Sequence, residues 1–178
     1  VSGGANGVDA MAHRAALDAG LPTIVVLAGG IERAGPAPNR PLFRDAADAG
    51  GAVIGFGPAE RHPSQGCFLA RNKVIAALAE VVIVAGAPKS SGALSTAAAA
   101  RRQKKPLLVV PGPPHEENFV GSLNLLREGA TLCASGADVA SALGDSAQLE
   151  LPGLQRAPVS DEARALFDAF ERLGTLDE

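Results

Sequence analysis

Short apolar runs rich in β-branched residues alternate along the chain with longer stretches of helical spacing, and turns of small residues separate them. Thr23-Ile24-Val25-Val26-Leu27 is a continuous β-branched and apolar run, the mark of a strand buried on both faces. Ala52-Val53-Ile54, Val81-Val82-Ile83-Val84, Leu107-Leu108-Val109-Val110 and the short Ala130 to Cys133 read as further strands, with Val81 to Val84 in the middle of the sheet. Between them fall helices at Val8 to Ala19, stopped by Gly20, then at Arg40 to Ala49, Phe68 to Ala79, Leu94 to Lys104 and Gly136 to Leu143. Strand and helix alternating at this spacing predict an α/β fold: a doubly wound, mostly parallel sheet with helices on both faces. Ligands bind such sheets at the carboxyl ends of the strands, where the glycine-rich turns fall.

One principal domain, residues 1–143, accounts for most of the 178 residues. The apolar strand expected before Ser2 is nearly absent, so the chain reads as a fragment that begins inside a domain. Residues 144–159 turn to Gly, Pro, Gln and Leu and read as a linker. Residues 160–178 read as an amphipathic helix: Ser160 caps it, and Ala165, Leu166, Ala169, Phe170 and Leu173 share a face.

Composition narrows the picture. The chain is 47% hydrophobic yet has no Trp or Tyr, so its core must be aliphatic, with alanine permitting close helix-to-sheet packing. A formal net charge of −3 gives no global signature of a nucleic-acid binder, so any such site must be a local patch. Cys67 and Cys133 match no metal or redox spacing, which suits reduced thiols in a cytoplasmic protein. No run reaches the ~20 apolar residues of a membrane span. No metal cluster, cofactor motif or catalytic triad is evident, so no cofactor is expected.

Two turns carry the candidate chemistry. Ser2-Gly3-Gly4-Ala5-Asn6-Gly7 leads from the first residues into a helix, and its free amides suit an anion. Asp9 is placed to accept hydrogen bonds from those amides, and His13, one helical turn on, either pairs with Asp9 or is a half-buried helix residue. The second turn offers Lys89, Ser91, Gly92, Ser95 and Thr96, a phosphate-binding inventory without the spacing of a nucleoside-triphosphatase loop. Arg71, Asn72 and Lys73 are expected to open a helix, where cations oppose the macrodipole unless an anion lies between them. Phe68 beside them is either a base-stacking platform or a core residue. Arg101, Arg102, Lys104 and Lys105 read as helix C-terminal charges.

Taken together, SGGANGVDAMAH (2–13), TIVVLAGGIER (23–33), PNRPLF (38–43), FLARNKVIAAL (68–78), SSGALSTAAAA (90–100), VVPG (109–112) and GSLNLLREGA (121–130) resemble the DNA-processing protein A (DprA/Smf) family. The resemblance implies a Rossmann-like domain that binds single-stranded DNA without sequence preference in natural transformation, loads a RecA-type recombinase, forms homodimers and performs no catalysis. It also implies that residues 160–178 begin a winged-helix domain. The chain departs from the family pattern at Asn6, where a basic residue is usual, at Leu69 and Lys73, at Ile54-Gly55, at Gly86 and at Leu123. The alternative is a nucleotide-processing enzyme of the lysine-decarboxylase-like (LOG) group. That chemistry needs a PGGxGT-type loop and a catalytic acid, and Ser91-Gly92-Ala93-Leu94 supplies neither.

Overall fold

In the computed structural model, residues 1–144 are described, and the linker and terminal helix expected beyond them lie outside that range. Strand β1 (Ile24–Val26) pairs in parallel with β2 (Ala52–Ile54), Val25 opposite Val53. Strands β3 (Val82–Val84), β4 (Leu107–Val109) and β5 (Thr131–Leu132) form a second parallel ladder in that order. Helices α1 (Val8–Asp18), α2 (Arg40–Asp48), α3 (Gln65–Leu78), α4 (Gly92–Arg102), α5 (Val120–Arg127) and α6 (Gly136–Ala142) separate or follow the strands. The architecture is therefore α/β with parallel pairing, and Gly20 ends α1 in the left-handed conformation (φ 71°) its position predicted.

Burial follows the strand chemistry. Val25, Val26, Leu108 and Val109 are all essentially inaccessible, so β1 and β4 are covered on both faces. β3 differs from its expected central place: it stands at the edge of its ladder, and Ile83 is 45% exposed between buried Val82 and Val84. In a parallel pair alternate residues point their backbone groups to opposite sides, so the groups of Ile83 face away from β4.

Each ladder has its own core. Val25, Leu27, Phe43 and Ala46 make the first. Ala76, Val82, Val84, Ala97, Ala100, Leu107, Val109 and Leu125 make the second, where α3 and α4 approach closely on alanine faces. Helix α5 has no counterpart among the expected elements. Gly121 and Ser122 at its start are poor helix formers, and the prolines and acids before it read as loop. Tertiary contacts fix it: Leu125 enters the second core, and the amides of Gly121 and Ser122 both donate to the Ala87 carbonyl.

The loop after β1, residues 29–36, is not free-standing. Gly30 N–H donates to Arg61 C=O, Glu32 N–H to Ala59 C=O, and Phe56 N–H to Gly29 C=O, so it is laced to the loop after β2.

Candidate functional site

The first turn begins as an extension of the sheet, with Ser2 bridging β1 through Ser2 N–H to Ile24 C=O (3.0 Å) and Val26 N–H to Ser2 C=O (2.9 Å). Gly4 then takes φ 69°, and its α-carbon lies so near the Phe43 ring that a β-carbon would sit 2.6 Å from Cε1. Asn39 Nδ2 donates to the carbonyls of Gly4 (2.9 Å) and Ala5 (3.2 Å), which turns the Ala5 amide the other way, as the Val26 N–H bond to the Ser2 carbonyl does for the Gly3 amide. Those amides meet Asp9: Gly3 N–H and Ala5 N–H both donate to its Oδ2, at 3.2 and 3.1 Å. Asp9 thus holds the turn as its spacing predicted. It also fills two of the donors expected to face an anion.

His13 does not pair with Asp9. It is 1% exposed, shares a 2.7 Å hydrogen bond between its Nδ1 and Thr23 Oγ1, and has no partner for Nε2 among the described residues. Burial holds its pKa below the ordinary histidine value, with Asp9 pulling weakly the other way.

Helix α3 starts at Gln65, capped by Ser64, whose hydroxyl accepts Cys67 N–H. Arg71, Asn72 and Lys73 therefore lie in the helix interior, not at its opening, and the macrodipole conflict expected there does not arise. Arg71 instead reaches across to the first ladder. Its Nη1 donates to Val26 C=O (3.3 Å), its guanidinium passes where a side chain on Gly3 would be, and its Cζ lies 5.5 Å from the centre of the Phe68 ring. Its Nε is buried without a partner among the described residues. Burial lowers the Arg71 pKa from its ordinary value, and the Asp9 charge raises it.

The second turn is held by neutral groups. Ser91 caps α4 by accepting Ala93 N–H (3.2 Å). Asn72, 8% exposed, donates to Gly92 C=O (3.2 Å) and to Ser95 Oγ, while the Ser95 hydroxyl donates to Gly92 C=O (2.7 Å). The polar groups of Asn72, Ser91 and Ser95 are thus engaged within the fold.

Between the ladders lies a cleft of about 450 Å³. Of the residues expected to bind phosphate, the structure brings Ser2, Gly3, Ala5, Phe68, Arg71, Asn72, Gly92 and Thr96 to its wall. Gly4, Asn6, Gly7, Lys73, Lys89, Ser91 and Ser95 do not line it. Lys73 is exposed on α3, and Lys89 borders a separate hollow of about 370 Å³ with Arg101, Asn124 and Glu128. There Arg101 is held by Glu128 (2.6 Å) and by the Leu125 carbonyl (3.3 Å), so it ties α4 to α5. Along the main cleft, Ile75, Ala79 and Val81 to Val84 are apolar, and the polar wall is formed by Ser2, Asp9, Arg71, Asn72 and Thr96. Phe68 is 46% exposed on this wall, which removes the core reading of its ring.

Two contributors were missed from sequence. Asn39 and Phe43 lie within the quoted PNRPLF segment, but nothing local says that they clamp a turn some 35 residues earlier. Among the described residues both cysteines are buried free thiols, and no helix is long and apolar enough to cross a membrane.

Comparison with known proteins bears on the family and the fold. Residues 1–144 match the family model of DNA recombination-mediator protein A. A Mycobacterium tuberculosis protein provisionally named DNA processing protein DprA is 37% identical over 184 residues, covering all of this chain and 47% of its own length. The crystal structure of DNA processing protein A from Streptococcus pneumoniae superposes with a TM-score of 0.69 at 34% identity, over 79% of this chain and 49% of that one. That of Helicobacter pylori, described for its single-stranded-DNA binding mode, gives 0.70 at 32% identity, over 80% of this chain and 64% of that one. The chain spans about half the length of the curated relative it matches. With its Rossmann-like parallel architecture, its ordered motifs and a family match across residues 1–144, the chain belongs to the DNA recombination-mediator protein A (DprA/Smf) family.

Proposed function

We propose that this chain binds single-stranded DNA without sequence preference, through the polar wall of the cleft between the two ladders. The observation that carries the reading is the convergence there of the first turn, the Phe68–Arg71 pair of α3 and the start of α4. A half-exposed aromatic ring beside a guanidinium is suited to stack a base while the cation faces a phosphate. The H. pylori relative, described for its single-stranded-DNA binding, lends the reading further support. Lys73 and Lys89, outside the cleft, would act only as flanking charges.

For the whole protein we propose the wider role that the family resemblance suggests: a non-enzymatic cytoplasmic homodimer in DNA uptake that delivers bound strands to a RecA-type recombinase. The test is titration of labelled oligo-dT at several salt concentrations. Log affinity should fall linearly with log salt, by about 0.7 per phosphate neutralised. Phe68→Ala should cost about 1–3 kcal/mol of binding if a base stacks on the ring. Its thermal midpoint should hold, since the ring is already half in solvent. Salt-independent binding, or a Phe68→Ala variant of unchanged affinity, would exclude this wall as the site.

A further inference from the structure

We propose that Asp9 is a built-in anion that occupies the first turn's phosphate seat and so sets how tightly the cleft holds a polyanion; this rests on the nucleic-acid reading of the same cleft. Two alternate amides, Gly3 and Ala5, converge on one carboxylate oxygen, which is the geometry of a backbone nest around an anion. Here the anion is the chain's own. Asp9 is partly exposed and lines the cleft, so an incoming phosphate meets that charge directly.

The turn has other means of support. Asn39 fixes the carbonyls of Gly4 and Ala5, Phe43 packs under Gly4, and Ser2 is paired to β1, so the amides stay aimed at the cleft when the carboxylate charge is removed. Asp9 and Arg71 share the polar wall, close enough for their charges to interact but without a direct ion pair. One negative and one positive side chain thus offset each other on the polar wall. A phosphate that binds beside both gains little net attraction, and one that displaces Asp9 gains two amides and an uncompensated guanidinium.

Asp9→Asn keeps an oxygen for the two amides and removes the charge, so it separates electrostatics from support of the turn. In the 178-residue chain it should tighten oligo-dT binding roughly three- to tenfold, the size expected for one charge a few ångströms from a phosphate near water. The slope of log affinity against log salt should steepen by about 0.7, one further phosphate neutralised. That extra slope should vanish in an Arg71→Ala background and persist with Arg71→Lys. A residue that merely supports the turn would weaken binding on substitution and leave the slope alone. A second measurement is independent of DNA: on titration with tripolyphosphate, the Gly3 and Ala5 amide resonances should move in Asp9→Asn and stay in the wild type.

Equal or weaker oligo-dT binding by Asp9→Asn with an unchanged slope overturns the proposal, as do Gly3 and Ala5 amides that ignore tripolyphosphate in the variant. If neither protein binds oligo-dT while tripolyphosphate moves those amides in Asp9→Asn alone, the nucleic-acid reading fails and the role of Asp9 stands.

Discussion

The first turn, residues 2–7, and the second, residues 87–96, look alike in sequence, each placing small residues between an apolar run and a helix. They are held in different ways. The first is clamped from a distance: Asn39 and Phe43 come from the start of α2, Arg71 from α3, and Asp9 supplies a charge from the next helix. The second is closed largely by hydroxyls of its own helix, with Asn72 on Gly92 and the Gly121 and Ser122 amides on the Ala87 carbonyl as its long-range ties. Glycine is accordingly obligatory at Gly4, which combines a positive φ with an aromatic ring underneath, while Gly92 has open space where a side chain would go. A glycine-rich signature thus has two physical meanings. One is close packing against distant side chains; the other is a helix start that tolerates almost any small residue.

The sharpest way to break this comparison is Gly4→Ala. Strain at φ 69° adds to overlap with Phe43 and Val25, and together these should cost about 2–4 kcal/mol in urea unfolding, with α1 and α2 loosened together. A loss below about 1 kcal/mol would mean that the turn can shift off Phe43, and the distinction between the turns would fade.

A smaller effect concerns the buried tie beneath the first turn. His13 has its pKa held down in the folded chain, so below its unfolded value of 6.5 the unfolded chain takes up a proton that the folded one refuses. Stability should therefore be full above that value and decline as pH falls toward the folded pKa. His13→Gln should flatten this dependence between pH 7 and pH 5, as read from urea midpoints. An unchanged slope in the variant would assign the acid sensitivity to other groups.

The smallest effect is expected at the second turn. Gly92→Ala meets nothing and lies at the first position of α4, so it should be neutral or stabilise by up to about 1 kcal/mol. A destabilised variant would show that the second turn is as tightly packed as the first.

How much of this was legible beforehand follows from the range of the interactions. The strands at 24–26, 52–54, 82–84 and 107–109 and helices α1 to α4 and α6 follow from local apolar periodicity, and the structure places them within a few residues of expectation. Asp9 on the amides was equally legible, because its partners lie four and six residues away. Arg71 was misjudged because its helix begins six residues earlier, at Gln65, on a cap that gives only a weak signal. Of the two readings of His13, the pairing with Asp9 was not realised because Thr23 competes for its ring, and that choice depends on how α1 lies against β1.

The sequence by itself determined the α/β class, the order of every element but α5 and the chemistry of the two turns, because side-chain periodicity and glycine content act over a few residues. Only the tertiary structure decided that Arg71 reaches across to the first ladder, and that Lys73 and Lys89 stand away from the cleft. Those outcomes depend on which surfaces pack together across 20 to 45 residues of chain, where no local pattern records the partner.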